Sequence, residues 1–332
     1  MTRTITVLGV GIFGLWQAFA LARAGHRVRL IETSAEPFAD AASLYAGVML
    51  APEREAETAP SMLRQLGHEG IAHWRDVYPR LKCNGSIVVA SPRDRGELDR
   101  FAVRTQGHRL LDEEELSALE GDLGQRFGAA LFFPDEAHMP ANDALAFMLG
   151  AARAAGVDAV FGVGDAESAA ADSDTIVDCR GMAARDVLSD LRGVRGERLL
   201  IRSREVVFDR PVQLLHPRIP LYIVPWGDGV YLVGATAIES EERGPVTVRS
   251  AMELLGGAYA VHPTFAEAEI IGFGAGVRPA FPDNVPRAIV REGGRRIFVN
   301  GAYRHGFLIA PVLARMVTAY LKDGTGSELL AV

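Results

Sequence analysis

Three glycines near the start of the sequence have the spacing of a turn that binds a dinucleotide. Gly9, Gly11 and Gly14 follow a short apolar segment at residues 4–8, TITVL, which has the composition of a buried strand. In such a turn the first glycine permits the sharp bend, the second lets the backbone approach a pyrophosphate, and the third lets helix and strand pack closely. Since the free N–H groups at the start of the following helix face the phosphates, we expect a dinucleotide here. Glycines that serve packing alone are the alternative.

An acidic residue follows these glycines at the distance that ribose recognition requires. A second apolar segment, residues 27–31, ends at Glu32, about 20 residues after the turn. A carboxylate at that place accepts hydrogen bonds from the ribose hydroxyls and disfavours a 2′-phosphate, so NADP is not expected. The glycine motif itself does not distinguish FAD from NAD.

One arginine lies in an apolar, glycine-rich segment, where its charge would need an anionic partner if it were buried. Arg278 belongs to the glycine-rich segment 274–279, GAGVRP. A desolvated guanidinium costs several kcal/mol unless a partner neutralises it, and a substrate carboxylate bound by two parallel N–H donors is a natural partner. The alternative is a structural ion pair with an Asp or Glu. Tyr222 could donate its hydroxyl to the same carboxylate or could pack on a sheet face.

The composition excludes several classes of protein. The chain has 332 residues, of which 48% are hydrophobic and 23% charged, as in a globular protein of two domains or one large interleaved unit. Its 35 Lys and Arg against 42 Asp and Glu give a formal charge of −7, so we expect no nucleic-acid binding. Residues 180–210 hold eight arginines with Phe208 as the only aromatic, a pattern typical of solvated surface or a subunit contact.

The cysteines and the apolar runs indicate in which cellular compartment the protein is expected. Cys83 and Cys179 are too few for a disulfide framework and form no CxxC pair, so we expect reduced thiols in the cytoplasm and no metal site. The apolar run at residues 5–22 resembles a signal peptide, but its glycines favour a strand followed by a helix. No stretch offers 18 uninterrupted apolar residues, so no membrane span is expected.

The elements that position these residues alternate at first between strand and helix. After the strand–helix–strand unit of residues 4–31, the sequence predicts helices at 59–78 and 140–155, and strands at 85–90, 131–133, 157–161 and 175–179. Asp112 begins a helix whose first turn holds three glutamates, where carboxylates suit the positive end of the helix dipole. That acidic cluster therefore predicts a helix start rather than a metal site.

The second half changes to consecutive strands. Three apolar segments lie between residues 198 and 236, and Gly227-Asp228-Gly229 supplies a hairpin turn between the last two, so an antiparallel sheet is predicted. Helix 248–261, a glycine-rich segment at 270–278 without an assigned element, strand 296–300 and helix 311–321 follow. Pro311 suits the first turn of that last helix.

Four further segments, with the glycine turn, carry a family resemblance. They are SLYAGVMLAP at 43–52, YIVPWGDGVYLVGAT at 222–236, GVRP at 276–279 and YRHGFLIAP at 303–311. In this order the chain resembles the D-amino acid oxidase family of FAD enzymes over most of its length, and within that family the glycine oxidase branch of thiamine biosynthesis.

The resemblance implies an α/β fold with a Rossmann-like FAD-binding domain and a mainly antiparallel substrate domain. The FAD-binding domain is discontinuous, at residues 1–80, 141–184 and 272–332, and the substrate domain occupies 81–140 and 185–271. Two departures bear on the site. The region 157–175 is short, so only residues 160–164 could provide the adenine contact, and Ala237 stands where a bulkier active-site residue is expected.

The resemblance also implies which residues hold the cofactor and act on the substrate. Arg278, Tyr222 and Tyr303 are the implied catalytic residues. The start of the last helix would point its positive end at the flavin. No cysteine follows Cys179, and none lies near the flavin motifs, so FAD is expected to be non-covalent. The implied cofactor-binding residues are Gly9, Gly11, Ile12, Phe13, Gly14, Glu32, Ser43, Ala46, Gly47, Met49, Gly181, Arg304, His305, Gly306, Phe307 and Leu308.

The implied reaction is the oxidative deamination of glycine or another small amino acid. A hydride passes from Cα to the flavin, the imine hydrolyses to a 2-oxo acid and ammonia, and molecular oxygen is reduced to hydrogen peroxide. The product would be handed to a thiazole synthase, and a homo-oligomer is left open. One alternative is an FAD-dependent dehydrogenase of a D-amino acid, proline or sarcosine that passes electrons to another carrier. The other is a flavin-binding protein without catalysis.

Overall fold

Two large sheets organise the computed structural model, which describes residues 2–216 and 221–332. The strands in chain order are β1 (Thr4–Leu8), β2 (Arg27–Ile31), β3 (Met49–Leu50), β4 (Ser86–Ala90), β5 (Arg109–Asp112), β6 (Ala129–Phe133), β7 (Ala137–His138), β8 (Asp158–Val160), β9 (Thr175–Asp178), β10 (Arg192–Arg202), β11 (Val212–Leu215), β12 (Leu221–Gly227), β13 (Val230–Gly234), β14 (Ile238–Glu239), β15 (Glu269–Ala280), β16 (Arg287–Arg291), β17 (Arg296–Asn300) and β18 (Leu330–Ala331). The α-helices are α1 (Ile12–Arg23), α2 (Pro52–Glu55), α3 (Ser61–Val77), α4 (Arg95–Arg104), α5 (Glu113–Leu119), α6 (Gly121–Gly124), α7 (Ala141–Ala154), α8 (Ala166–Ala169), α9 (Val248–Val261) and α10 (Gly306–Asp323).

The first sheet has the strand order β18-β16-β17-β9-β1-β2-β8. β1 pairs in parallel with β2 and with β9, so that Leu8 lies beside Ile31 on one side and beside Asp178 on the other. These strands are apolar and buried because α1, α3, α7 and α10 form one hydrophobic core with them. The carboxyl ends of β1, β2 and β9 therefore meet at one edge, where open α/β sheets bind their ligands.

The second sheet is mainly antiparallel, with the order β14-β10-β13-β12-β11-β4-β6-β5. Outside this order, β15 also pairs with β10, in antiparallel fashion and along its whole length. The predicted hairpin turn is present between β12 and β13, and Gly227, Asp228 and Gly229 all have positive φ, at 92°, 52° and 69°. The α/β class predicted from the sequence is confirmed. The division into two domains stays a prediction, and β15 runs across its boundary between residues 271 and 272.

Several elements begin and end as the sequence predicts. The strands at 27–31 and 296–300 and the helix at 248–261 have the predicted bounds. Asp112 caps α5 by accepting a hydrogen bond from the backbone N–H of Glu115, and the Glu115 side chain accepts one from the Asp112 N–H. The acidic cluster is thus a helix start. The glycine-rich segment at 270–278, which had no predicted element, lies within β15.

The last helix corrects one prediction. α10 begins at Gly306, five residues before Pro311, so Pro311 lies inside the helix and not in its first turn. A proline has no N–H, which frees the carbonyl of residue i−4, here Phe307. The indole Nε1 of Trp74 on α3 donates to that carbonyl at 2.7 Å. An external donor therefore replaces the missing helical hydrogen bond, and the helix continues through the proline.

The arginine-rich segment 180–210 is largely neutralised within the chain. Six of its eight arginines form ion pairs with Asp or Glu, among them the buried pair Arg195–Glu197. In the part of the chain that the structure describes, no helix is both long and apolar enough to cross a membrane. The same residues contain no group of three or more His, Cys, Asp or Glu placed to hold a metal ion.

Candidate active site

A cavity of about 880 Å³ lies at the edge where the two sheets meet, and both sheets supply its walls. Two of the predicted site residues, Gly14 and His305, do not line it. The other predicted residues all do: Gly9, Gly11, Ile12, Phe13, Glu32, Ser43, Ala46, Gly47, Met49, Gly181, Tyr222, Arg278, Tyr303, Arg304, Gly306, Phe307 and Leu308.

The glycine turn has the geometry that its spacing predicts. Gly9 has a φ of 93°, and a Cβ added there would lie 2.7 Å from the carbonyl oxygen of Cys179. A Cβ at Gly14 would overlap the carbonyl oxygen of Gly9, so Gly14 serves the packing of α1 on β1. Gly11 faces open space apart from the Ser43 hydroxyl, 3.5 Å from an added Cβ. The N-terminus of α1 therefore points into the cavity with room for a phosphate in front of it.

Two side chains hold this turn in place. Glu32 accepts a hydrogen bond from the Val10 N–H at 3.0 Å, and its other oxygen accepts one from the Thr33 N–H at 2.8 Å. The Ser43 hydroxyl accepts from the Ile12 N–H at 3.1 Å. Glu32 thus has a structural task besides any contact with a ribose, because it fixes the backbone between Gly9 and Gly11.

The wall beyond Glu32 differs from the prediction. Of residues 160–164 only Gly164 lines the cavity, and residues 165–167 line it instead. The reason is that the Glu32 N–H donates to the Val160 carbonyl, and the Val163 N–H donates to the Glu32 carbonyl. This pairing continues the β2–β8 edge past the end of the strand and carries residues 160–163 away from the cavity.

A cysteine does lie beside the flavin motif, contrary to the expectation from the sequence. Cys179 is buried, lines the cavity and packs next to Gly9. Burial, and then the charge of Asp178, raise the pKa of this thiol well above its usual range. It is therefore a protonated thiol and a poor nucleophile, placed at the glycine turn.

Arg278, on β15, has the setting of an anion-binding group. Its Nη1 donates to the Thr236 carbonyl at 3.1 Å, and it forms no ion pair with any Asp or Glu of residues 2–216 and 221–332. Burial, and then the nearby Arg304 charge, lower its pKa. The guanidinium lies over the backbone of Gly196, where an added Cβ would come within 2.6 Å of Nη1. A cation without a carboxylate partner thus faces the cavity.

Two tyrosines lie near Arg278, and one of them packs against a glycine. The Tyr222 ring lies against Gly47, where an added Cβ would be 2.5 Å from Cε2. Tyr303 has a φ of 43°, and its N–H donates to the Pro279 carbonyl at 2.8 Å. Tyr222, Tyr303 and Arg304 are the groups near enough to act on the pKa of Arg278. The structure therefore brings the three implied catalytic residues and Arg304 to one end of the cavity.

Glu55, at the end of α2, was missed by the sequence reasoning. It lines the cavity, and its Oε2 pairs with Nδ1 of the buried His305, which precedes α10. Burial raises the pKa of Glu55, but the His305 and Arg304 charges outweigh burial and lower it, so the carboxylate is ionised. His305 was expected beside the flavin and instead faces Glu55. The run of charges at 53–55, directly after the apolar loop, was the available signal.

A second buried pair stiffens the same wall. Arg54 is 4% exposed and Glu136 1%, and Arg54 Nε lies 2.7 Å from Glu136 Oε2. Arg54 also donates to the Gln213 side-chain oxygen at 2.9 Å. Because Glu136 comes from a distant part of the chain, no local pattern could have found this pair. Its charges cancel, so the wall at Arg54 is polar without being cationic.

The start of α10 completes the cavity. Gly306, Phe307 and Leu308 line it, and no side chain caps this end of the helix. Free N–H groups and the positive end of the helix dipole stabilise negative charge in front of them. The N-terminus of α1 opens into the same cavity close by, since a Cβ added at Gly306 would lie 3.6 Å from Ile12 Cγ2. Two neighbouring helix termini therefore favour a negatively charged ligand in front of them, so the residues present fit FAD.

The chain also matches known proteins in sequence. The family description "FAD dependent oxidoreductase" (DAO) fits residues 4–320. An inferred thiamine biosynthesis oxidoreductase, ThiO, of Rhizobium etli is 48% identical over 324 residues, which cover 97% of each chain. The glycine oxidase of Geobacillus kaustophilus is 25% identical over 94% of this chain and 91% of the relative. A bifunctional protein ThiO/ThiG of Trichormus variabilis is 26% identical over 100% of this chain and 54% of its own length.

Solved structures share the fold. The crystal structure of the Geobacillus kaustophilus glycine oxidase has a TM-score of 0.82 at 23% identity and covers 99% of this chain and 97% of its own. That of an L-proline dehydrogenase from P. horikoshii has a TM-score of 0.79 at 16% identity and covers 99% of this chain and 95% of its own. Both cover nearly the whole chain, so the arrangement of both sheets is shared.

Proposed function

The chain belongs to the DAO family of FAD-dependent oxidoreductases, and from that premise we propose that it oxidises glycine or another small amino acid in thiamine biosynthesis. The Rhizobium etli relative supports the pathway, and the Geobacillus kaustophilus glycine oxidase supports the substrate. Both matches extend over nearly the full chain, so they concern the substrate end of the cavity as well as the FAD-binding turn.

Arg278 is the observation that carries this proposal. A guanidinium facing a cavity without a carboxylate partner is stabilised by a ligand that brings one, and an amino acid does so through its carboxylate. The Glu55 carboxylate and the His305 ring form a hydrogen bond that holds the polypeptide beside Arg304. The residues of the chain thus bind and orient the substrate, and its amine is oxidised from the neutral form without a protein base.

The chemistry of the reaction belongs to the cofactor. FAD, when bound, accepts the hydride that leaves the substrate Cα and returns the electrons to oxygen. For glycine the sum is glycine, oxygen and water giving glyoxylate, ammonia and hydrogen peroxide. We expect the reaction between Arg278 and the N-terminus of α10, where the helix dipole would favour the negative charge of a reduced flavin.

Two points about partners belong to the same proposal. The bifunctional ThiO/ThiG relatives join a region similar to this chain to a second part of about equal length. This fusion supports the hypothesis that the product passes directly to the enzyme that builds the thiazole. A homo-oligomer and a cytoplasmic location remain predictions of the sequence.

The decisive experiment follows both products. The purified protein is supplied with glycine in air, and peroxide and ammonia are measured together. We expect them in equal amounts. Ammonia without peroxide would assign the chain to the dehydrogenase alternative, in which another carrier accepts the electrons. A bound flavin that no amino acid or amine bleaches under anaerobic conditions would assign it to flavin binding without catalysis.

A further inference from the structure

Arg243 is an exposed arginine on the wall of the same cavity. It lies in the segment between β14 and α9, and it forms no hydrogen bond or ion pair with other described residues. Its acidic neighbours do not compete for it. Glu241 pairs with Arg185, and Glu242 accepts from the Gly244 N–H at 2.7 Å. The charge of Arg243 is therefore available to a ligand.

A buried ion pair fixes the backbone that carries Arg243. Arg195 donates to the carbonyls of Glu242 and Pro245, on either side of Arg243, at 2.6 Å each. Arg195 is 3% exposed and Glu197 0%, and their side chains pair at 2.8 Å. A buried ion pair carries a large desolvation cost, and here it holds a surface segment in one position. Arg243 therefore projects from a rigid base.

The same carboxylate links this segment to Arg278. The Thr236 hydroxyl donates to Glu197 at 3.2 Å, while the Thr236 carbonyl accepts from Arg278 at 3.1 Å. Glu197 also accepts from the Thr247 N–H at 3.3 Å. Arg278 and the base of Arg243 are thus held by one network, so the two cations keep a fixed relation across the cavity wall.

The wall at this end leaves room for a substrate larger than glycine. Ala235 and Ala237 line it with side chains of a single methyl group. One carboxylate satisfies Arg278, and a glycine molecule has no second anionic group for Arg243. An available cation, a rigid base and free space together describe a second anion subsite.

We propose that Arg243 is a specificity-determining residue that binds a second carboxylate of the substrate, and that the site prefers amino acids carrying such a group on the nitrogen or on Cα. This inference rests on the proposed amino acid oxidation and names the substrate class of that same site. Arg278 binds the carboxylate next to the reacting carbon, and Arg243 binds the distal one.

The test compares three substrates that separate size from charge: glycine, sarcosine, which adds a neutral methyl group, and iminodiacetate, which adds a carboxymethyl group at the same nitrogen. In the wild type we expect kcat/KM for iminodiacetate to exceed that for sarcosine. Arg243→Ala should lower the iminodiacetate-to-sarcosine ratio about fivefold, the factor for about 1 kcal/mol of a solvent-facing ion pair at about 1.4 kcal/mol per tenfold. Arg243→Gln should behave in the same way.

Arg249→Ala is the matched control. Arg249 is an exposed arginine six residues further along, outside the cavity wall, and its removal changes the net charge equally. The ratio should stay at the wild-type value in this variant. An unchanged ratio in Arg243→Ala, or equal losses for all three substrates, would overturn the proposal, since the second result describes general attraction of anions.

A binding experiment separates this proposal from the proposed function. Glycolate and diglycolate, which carry one and two carboxylates and no amine, are titrated against the flavin absorbance of the holoprotein without turnover. Diglycolate should bind more tightly to the wild type, and Arg243→Ala should remove that difference. If no amino acid is oxidised but this pattern is found, the subsite stands and the proposed function fails. If the wild type binds both acids equally, the subsite is wrong.

Discussion

The Arg278 guanidinium packs directly on Gly196, so a substitution of Gly196 tests the position of the guanidinium separately from its charge. A Cβ at Gly196 would come within 2.6 Å of Nη1, so Gly196→Ala must displace the guanidinium while keeping it. A charge-assisted hydrogen bond is worth about 1.5–3 kcal/mol. Gly196→Ala should therefore raise the KM for glycine by about one to two powers of ten, and Arg278→Ala by about two to four. Arg278→Lys keeps the charge without the planar fork and should lie between wild type and Arg278→Ala.

A simple amine is the control for this series. Methylamine has no carboxylate, so its turnover should fall much less than that of glycine in Arg278→Ala, and the purified protein should still be yellow. Equal losses for glycine and methylamine would show that Arg278 supports the fold or the flavin, and the assignment of the substrate end would then be wrong.

Glu32 predicts an effect on cofactor retention. Glu32→Arg removes the expected ribose acceptor, leaves the Val10 N–H without its 3.0 Å partner and places a cation in the turn. The dissociation constant of FAD, measured by titration of the apoprotein, should rise by at least about tenfold, since a charged hydrogen bond is lost. Glu36→Arg makes the same charge change at an exposed site away from the cavity and should leave FAD binding unchanged. If Glu32→Arg retains FAD as the wild type does, Glu32 is not the ribose ligand.

Cys179 is the residue at which the prediction of a non-covalent flavin can be tested. This thiol lines the cavity, but burial keeps it protonated and it lies at the glycine turn. Acid precipitation should therefore leave all of the FAD in the supernatant, as judged by the absorbance of each fraction. Cys179→Ser should give the same distribution. Yellow colour in the precipitated wild type, lost in Cys179→Ser, would demonstrate a covalent bond at this cysteine.

At the scale of elements, the hydrogen bond between α3 and α10 makes a quantitative prediction. Trp74→Phe removes the donor to the Phe307 carbonyl, which Pro311 leaves without a helical partner. An unsatisfied buried carbonyl costs about 1–3 kcal/mol, so the free energy of unfolding in urea should fall by that amount. Pro311→Ala restores an N–H that can donate to the same carbonyl.

A double-mutant cycle isolates this effect from the loss of indole packing. Packing is lost equally in both backgrounds, so Trp74→Phe should cost clearly less when residue 311 is alanine. An equal cost in the two backgrounds would mean that the Phe307 carbonyl finds another donor and that the indole contributes by packing alone.

The elements that local pattern determines were predicted well from the sequence. β2, α9 and β17 have the predicted bounds because their apolar periodicity and flanking residues are sufficient. The start of α10 was misplaced because Pro311 suits a first turn, and only the distant Trp74 makes it acceptable inside the helix. β15 was unassigned because its glycines weaken a strand pattern. Pairing with β10 overrides that weakness, and the glycines make room for Tyr45 at residues 274 and 276.

The residues of the candidate site likewise fall into those with a local sequence signal and those whose partners are distant in the chain. The glycine turn, Glu32 and Arg278 could be singled out because each has a local signature in the sequence, and all of them except Gly14 line the cavity. Glu55 and Arg243 were not singled out, because their surroundings come from residues far away in the chain, such as His305 for Glu55 and Arg195 for Arg243. The sequence thus predicts which chemistry is present, whereas the arrangement of charges around it depends on tertiary structure.

At the scale of the whole molecule, a buried histidine couples stability to pH. His138 on β7 is 2% exposed, and its Nδ1 has no hydrogen-bond partner among the described residues. Burial first, and then the charges of Lys82 and Arg210, lower its pKa from 6.5 to about 4. Since the unfolded chain takes up this proton before the folded one, the contribution to stability is complete above pH 6.5 and is lost as the pH falls towards 4.

The expected size follows from this shift. Between pH 8 and pH 5, protonation of this histidine stabilises the unfolded state more than the folded state. The difference corresponds to about 1.5 pKa units, or about 2 kcal/mol at 1.36 kcal/mol per unit. Urea unfolding at both pH values should show this loss in the wild type, and His138→Gln should reduce it. His73→Gln, at a half-buried histidine of α3, should leave it unchanged. The same pH dependence in His138→Gln as in the wild type would assign the loss to other groups.

The strand order of the parallel sheet has a consequence for how the protein is made. The glycine turn follows β1, near the start of the chain. β1 pairs with β9, and β9 pairs with β17, which is close to the end of the chain. α10 follows β17 and packs against α1. At about 5–20 residues per second, a ribosome completes β17 on the order of 15–60 s after β1. Until residues 306–308 have emerged, the phosphate turn exists without the start of α10, which lies beside it in the cavity wall. We therefore expect stable FAD binding only after residues 306–308 have left the ribosome.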